Sequence, residues 1–126
     1  MEAMPLWWRK SKCEVAKREL QEIGSDADLD CLFSQDAVVV FKHSTSCPVS
    51  WVAHSQVTKF LGGHPEASVV LVNVIKERPV SQEIARRTGV KHESPQIIVL
   101  RRGKVVAAIS HGDITEARLA EVVAIA

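Results

Sequence analysis

Two uninterrupted apolar runs, separated by one helix-length segment, constrain this chain more than anything else in it. Ala37-Val38-Val39-Val40-Phe41, just after Asp36, is the first, and Val69 to Val72, within a strand expected at Ala67 to Val74 after the His64-Pro65 turn, is the second. Their length and β-branched content are those of strands buried on both faces, where alternation with polar residues is lost. Between them Val49, Ala53, Val57 and Phe60 share one face of a helix that stops at Gly62-Gly63. Pro48 falls in that helix's first turn, where a missing N–H costs least. Strand, helix, strand in this order is a parallel crossover unit.

The rest of the chain fits around that unit. Residues 12 to 23 read as a helix with Cys13, Ala16, Leu20 and Ile23 on its apolar stripe, ended by Gly24. Ser25 to Ser34, with Leu29, Leu32 and Phe33, reads as a short helix leading into the first strand. Arg78 to Thr88 is a helix that begins near Pro79 and is capped by Gly89. Gln96 to Leu100 and Val105 to Ile109 are strands joined by the turn Arg101-Arg102-Gly103-Lys104. Asp113 to Ala126 closes the chain as a helix with Asp113 or Thr115 as N-cap and Leu119, Val122, Val123 and Ala126 for its apolar face. The pattern predicts an α/β thioredoxin-like three-layer sandwich, a central mixed sheet of about four strands flanked by helices, with an extra N-terminal helix. One domain over 1–126 is expected, with 1–24 as a helical extension and 25–126 as the core.

Composition removes several function classes. A 126-residue chain, 46% hydrophobic, buries enough surface to fold without disulfides or a structural metal. A formal charge of +1 gives no basic surplus with which to grip nucleic acid. The apolar runs are far shorter than the about 20 residues of a membrane span. The start, MEAMPLWWRKSKCEVAKREL, lacks the continuous apolar stretch and cleavage site of a signal peptide. Cys13, Cys31 and Cys47 form an odd set without a CxxC pair, which points to a reducing compartment and hence to the cytoplasm. No Cys/His set has zinc spacing, and no metal is expected.

Of the three cysteines, Cys47 keeps different company. It stands at the end of a buried strand, one residue before a proline that opens a helix, where unpaired N–H groups and the helix dipole favour thiolate over thiol. Ser44, Thr45, Ser46 and Ser50 around it mark an exposed turn, whereas Cys13 and Cys31 sit among apolar residues and read as small packed side chains. Lys42 and His43 just upstream are candidates to add positive charge. The spacing Cys47-Pro48-Val49-Ser50 is that of a dithiol motif whose second sulfur has become a hydroxyl, so a mixed disulfide on Cys47 must wait for an external thiol. Ser50 is a candidate donor to the thiolate. Ser94-Pro95-Gln96, just before the third main strand, sits where this fold places a cis-proline opposite the cysteine and offers main-chain groups to an extended substrate.

These segments carry a resemblance. FKHSTSCPVS (41–50), ERPVSQEIARRTGVKHESPQ (77–96) and SHGDIT (110–115) are similar to the monothiol bacilliredoxin family, general stress proteins of the bacillithiol system, over roughly residues 25–126. The chain departs from the family pattern at Ser46, where a basic residue is expected, at Val49 in place of Ile, and at Gly112 in place of an aromatic. The first departure takes a positive charge away from Cys47. The resemblance implies a thiol-disulfide oxidoreductase of the oxidative stress response in which Cys47 is catalytic and removes bacillithiol from S-bacillithiolated proteins. Pro48, Ser50, His43 and Ser46 would then support the thiolate, and Thr45, Ser94 and Pro95 would bind substrate. Bacillithiol would be a co-substrate and no cofactor would be resident; the oligomeric state is left open. Two other functions fit a thiol on this fold: an iron–sulfur carrier resembling monothiol glutaredoxins, and a non-catalytic interaction module. Lys91, His92, Arg101 and Arg102 form a basic face that would meet either solvent or an anionic thiol, while His111 and Asp113 read as an exposed capping turn.

Overall fold

The computed structural model describes residues 20–24 and 26–125. Five strands form one sheet in the order β1-β3-β2-β4-β5: β1 (Leu20–Glu22), β2 (Ala37–His43), β3 (Val69–Asn73), β4 (Gln96–Arg101) and β5 (Lys104–Ser110). The helices are α1 (Asp26–Phe33), α2 (Pro48–Gly63), α3 (Arg78–Thr88) and α4 (Glu116–Ile125), with a single 3-10 turn at His111–Asp113. β1 and β2 run parallel to β3, while β2–β4 and β4–β5 are antiparallel. The mixed sheet with helices on both faces is therefore as expected, with one strand more.

That strand corrects the first predicted helix at its end. Leu20 to Glu22 pair with Val69 to Leu71, and Ile23 N–H continues the ladder to Leu71 O. The spacing of Leu20 and Ile23 suits a helical stripe, but a bare β3 edge would leave a row of unpaired N–H and C=O groups. The rest of that predicted helix lies outside the described residues.

Side chains alternate across β2 with the period of a strand, and the two faces have separate cores. Val39 and Phe41 pack with Val57, Phe60, Val69, Ile97 and Leu119 under α2 and α4. Val38 and Val40 pack with Leu29, Leu32, Val70, Val80, Ile84 and Ile98 under α1 and α3. Continuing the alternation puts Lys42 on the α1/α3 side and His43 on the α2 side; both are buried.

Local punctuation largely follows the chain. The β4–β5 turn has φ of 51° at Arg102 and 79° at Gly103, as a two-residue hairpin requires. A Cβ at Gly103 would also meet Phe33 O at 2.9 Å. Gly89 caps α3 in the left-handed region and donates to Ala85 O. Of the two candidate caps of α4, Thr115 is the one used: its hydroxyl accepts the N–H of Arg118 at 3.1 Å. α2 ends at Gly62-Gly63 as expected, the two glycines forming its last residues.

Candidate active site

The parallel β2–β3 pairing and the antiparallel β2–β4 pairing bring three chain crossings to one end of the sheet. Lys42 pairs in register with Gln96, so the turn after β2, which carries Cys47, and the segment before β4, which carries Ser94 and Pro95, lie side by side. Val74 N–H donates to His43 O at 3.0 Å and brings the β3–α3 loop to the same place.

Cys47 is the N-cap of α2, with Pro48 in the first helical turn. Its backbone is extended and its carbonyl accepts from Ser50 and Trp51 N–H, so the helix starts beneath it while its side chain makes no capping hydrogen bond. The thiol is free and partly exposed. The positive end of a sixteen-residue helix therefore lies against the one side chain at this position that is able to become an anion.

Ser50 is fully buried and its hydroxyl serves the turn, which corrects its expected role as a donor to Cys47. Ser50 Oγ accepts the Ser44 N–H at 2.9 Å and pairs with His43 Nδ1 at 2.7 Å. The His43 contact is buried and the Ser44 one partly so, and leaving a buried polar group unpaired costs about 1–3 kcal/mol. Ser50 thus anchors the loop to the end of β2 and shapes the site from below.

His43 is also corrected. Burial, and next the nearby His54, push its pKa below the ordinary value, although a hydrogen bond at Ser50 opposes the shift. It is a neutral ring at pH 7 and supplies no positive charge to Cys47. Its ring stands edge-on to Trp51, with centroids 4.5 Å apart, and lies 5.1 Å from His54. Trp51 in turn donates from Nε1 to Thr45 O at 2.9 Å, so the aromatic group clamps the exposed turn. Thr45 and Ser46 sit on that turn, exposed, with Ser46 Oγ 3.3 Å from Ser44 Oγ.

The Ser94–Pro95 bond is cis, as expected at this position. Pro95 O accepts the His111 N–H at 2.9 Å, which ties the segment to the 3-10 turn, and His111 Nε2 meets Glu93 Oε1 at 3.0 Å. Ser94 Oγ is buried and has no partner among the described residues. Exposed apolar side chains stand on the first turns of α2 and in the β3–α3 loop: Val49 is 47% exposed, Val52 64% and Ile75 48%.

Sequence reasoning missed three features here. Trp51 and His54 carried no motif. Lys42, expected only as a candidate positive charge near Cys47, is buried on the α1/α3 side, where the alternation of Val38, Val40 and Lys42 already places it. The third is Cys31, expected to be a small packed residue and found disulfide-bonded. Cys47, by contrast, is free. No described helix is long and apolar enough to cross a membrane. Among the described residues no group of three or more His, Cys, Asp or Glu is arranged to hold a metal ion.

A family model described as "Monothiol bacilliredoxin BrxC" matches residues 15–119. The chain belongs to the monothiol bacilliredoxin family. Its role accordingly lies in thiol redox chemistry. A solved structure described as a proposed oxidoreductase with a thioredoxin fold is 35% identical, with a TM-score of 0.77, and the match covers 82% of this chain and 92% of that one. The thioredoxin of Trypanosoma brucei brucei superposes at a TM-score of 0.73 with 14% identity, covering 86% and 90% of the two chains. A mutant thioredoxin from Halobacterium salinarum superposes at 0.70 with 15% identity, covering 87% and 92%. At such identities the last two speak for the fold alone, and the fold of this bacilliredoxin is thioredoxin-like.

One solution property follows from the histidines. Burial is the largest cause of the lowered pKa values of His43, His54 and His92. Below the usual 6.5 the unfolded chain takes up protons that the folded chain refuses, so stability rises with pH across that window. The urea midpoint is expected to hold near pH 7.5 and to fall as pH drops through 6.5. A midpoint at pH 5.5 equal to that at pH 7.5 would show the three rings protonate as easily folded as unfolded.

Proposed function

We propose that this bacilliredoxin is a monothiol thiol-disulfide oxidoreductase that strips bacillithiol from S-bacillithiolated proteins through Cys47. The Cys47 thiolate attacks the bacillithiol sulfur of the protein mixed disulfide. That S–S bond breaks, the protein cysteine leaves as thiolate, and a new S–S bond joins Cys47 to bacillithiol. A second bacillithiol thiolate then attacks the adduct, leaves as part of bacillithiol disulfide, and returns Cys47 to its starting state.

The observation that carries this reading is position 50, where a dithiol enzyme would hold its resolving sulfur. A buried hydroxyl committed to His43 and Ser44 stands there, so the adduct has no exit within the motif. The exposed Val49, Val52 and Ile75 support a protein as donor, since apolar surface rimming a polar turn is what a docking partner covers. Thr45, Ser94 and Pro95 would meet the donor chain beside Cys47. In this reading bacillithiol is a co-substrate, no cofactor is resident, and the protein works in the cytoplasm during oxidative stress.

Incubation with a model protein carrying one S-bacillithiolated cysteine tests it by intact mass. The donor is expected to lose one bacillithiol and this chain to gain one, in equal amounts. A donor that keeps its adduct at equimolar enzyme would refute the proposal.

A further inference from the structure

Beneath the segment that carries Ser94 lies a polar cluster that the proposed reaction does not use. Lys42 is fully buried on the α1/α3 face and makes no ion pair among the described residues. Its Nζ donates to His92 Nδ1 at 3.2 Å. An ammonium has donors only, so Nδ1 is the acceptor and the His92 proton sits on Nε2. Ser81 Oγ, buried on α3, reaches the same Nδ1 at 3.0 Å. Gln96, the cross-strand partner of Lys42, donates from Nε2 to Lys91 O at 3.0 Å.

Two consecutive residues of the segment, Lys91 and His92, are therefore pinned from β2, α3 and β4 at once, immediately before Glu93, Ser94 and Pro95. An isolated buried ammonium is costly, and a chain keeps one only where something else is gained. From this geometry we infer that Lys42 is a positioning residue: through His92 it holds the 91–95 segment at the height at which a partner chain pairs beside Cys47. The inference rests on Cys47 exchanging with a partner that lies along Ser94, but not on that partner carrying bacillithiol.

Two disulfide probes separate positioning from folding and from thiol reactivity. A short peptide whose cysteine is joined to thionitrobenzoate uses the 94–95 edge; the mercaptoethanol–thionitrobenzoate disulfide is too small to do so. In both, the Cys47 thiolate attacks the carbon-chain sulfur, one S–S bond forms as another breaks, and the coloured thionitrobenzoate leaves. The ratio of the two second-order rate constants reports the edge alone and cancels any change in Cys47 itself. Lys42→Met is expected to lower this ratio about tenfold. His92→Leu is expected to lower it as far, the double variant no further, and His92→Gln, which keeps an acceptor for Lys42, to restore most of it. A ratio in Lys42→Met within twofold of the natural chain would overturn the inference, as would His92→Gln behaving like His92→Leu. Loss of the bacillithiol activity proposed above would leave these ratios untouched, so the two readings fail separately.

Discussion

Replacing Ser50 by cysteine is expected to shorten the life of a mixed disulfide on Cys47 by about a hundredfold or more. In the natural chain the adduct persists until an external thiol arrives, because the side chain three residues on is a hydroxyl. A thiol at that position in the first turn of α2 would attack the Cys47 sulfur from within the molecule, and well-oriented intramolecular reactions gain about 10⁵ M or more in effective concentration. The hundredfold figure is modest against that range because the native side chain points toward His43 and Ser44 and the new sulfur must turn toward Cys47. The products are an internal disulfide and one released small thiol, which mass spectrometry after removal of excess thiol distinguishes from the persistent adduct. An adduct equally durable in Ser50→Cys would mean that the helix start holds the two positions too far apart, and that the serine is not what makes the site monothiol.

The second large effect is on stability and runs against intuition. Lys42→Met is expected to stabilise the fold at pH 7 by on the order of 2 kcal/mol, because the substitution removes a buried charge that no carboxylate balances. Burial lowers the Lys42 pKa from 10.5 to about 8. Below pH 8 the lysine is charged in both folded and unfolded chains and the full cost is present. Between 8 and 10.5 the folded chain has shed the proton while the unfolded chain keeps it, so the natural protein gains stability with pH. The advantage of Lys42→Met is therefore largest below pH 8 and disappears toward 10.5, which urea unfolding at pH 7, 9 and 10.5 would follow. A variant less stable at pH 7, or a gap that stays constant with pH, would show that Lys42 is compensated in the fold. Coupled with the fall in peptide exchange expected for the same variant, the result would describe a residue retained for the site at a cost to the core.

The sequence disclosed the fold where local and long-range signals agreed. Val38 to Phe41 and Val69 to Val72 are apolar on both faces, Gly103 sits at the hairpin turn, Gly89 caps α3, and Pro48 opens α2; each has only one structural use. β1 was hidden because Leu20 and Ile23 satisfy helical spacing, while the reason for a strand, the open edge of β3, lies about fifty residues away. The positions of Cys47 and of the cis Ser94–Pro95 bond were legible for the same cause as the strands, since both are fixed by element order. The roles of His43 and Ser50 were not. A histidine at a strand end is cationic or neutral according to its burial, and a serine in a first helical turn serves thiol or backbone according to which polar groups the fold places beside it. Lys42 was readable in principle from the alternation of β2, but its tie to His92 spans fifty residues and no spacing rule reaches that far. The Cys31 bond was likewise beyond reach, because cysteine pairing follows from the fold and not from spacing.

In the proposed reaction a single thiol, Cys47, accepts the bacillithiol. The most direct test is intact-mass and peptide mapping of the natural chain and of Cys47→Ala, each at equimolar ratio with an S-bacillithiolated donor protein. The natural chain is expected to carry one bacillithiol on the peptide containing Cys47, and Cys47→Ala to carry none while the donor keeps its adduct. Adduct formation on Cys47→Ala, or on the natural chain at Cys13 or Cys31, would contradict the account.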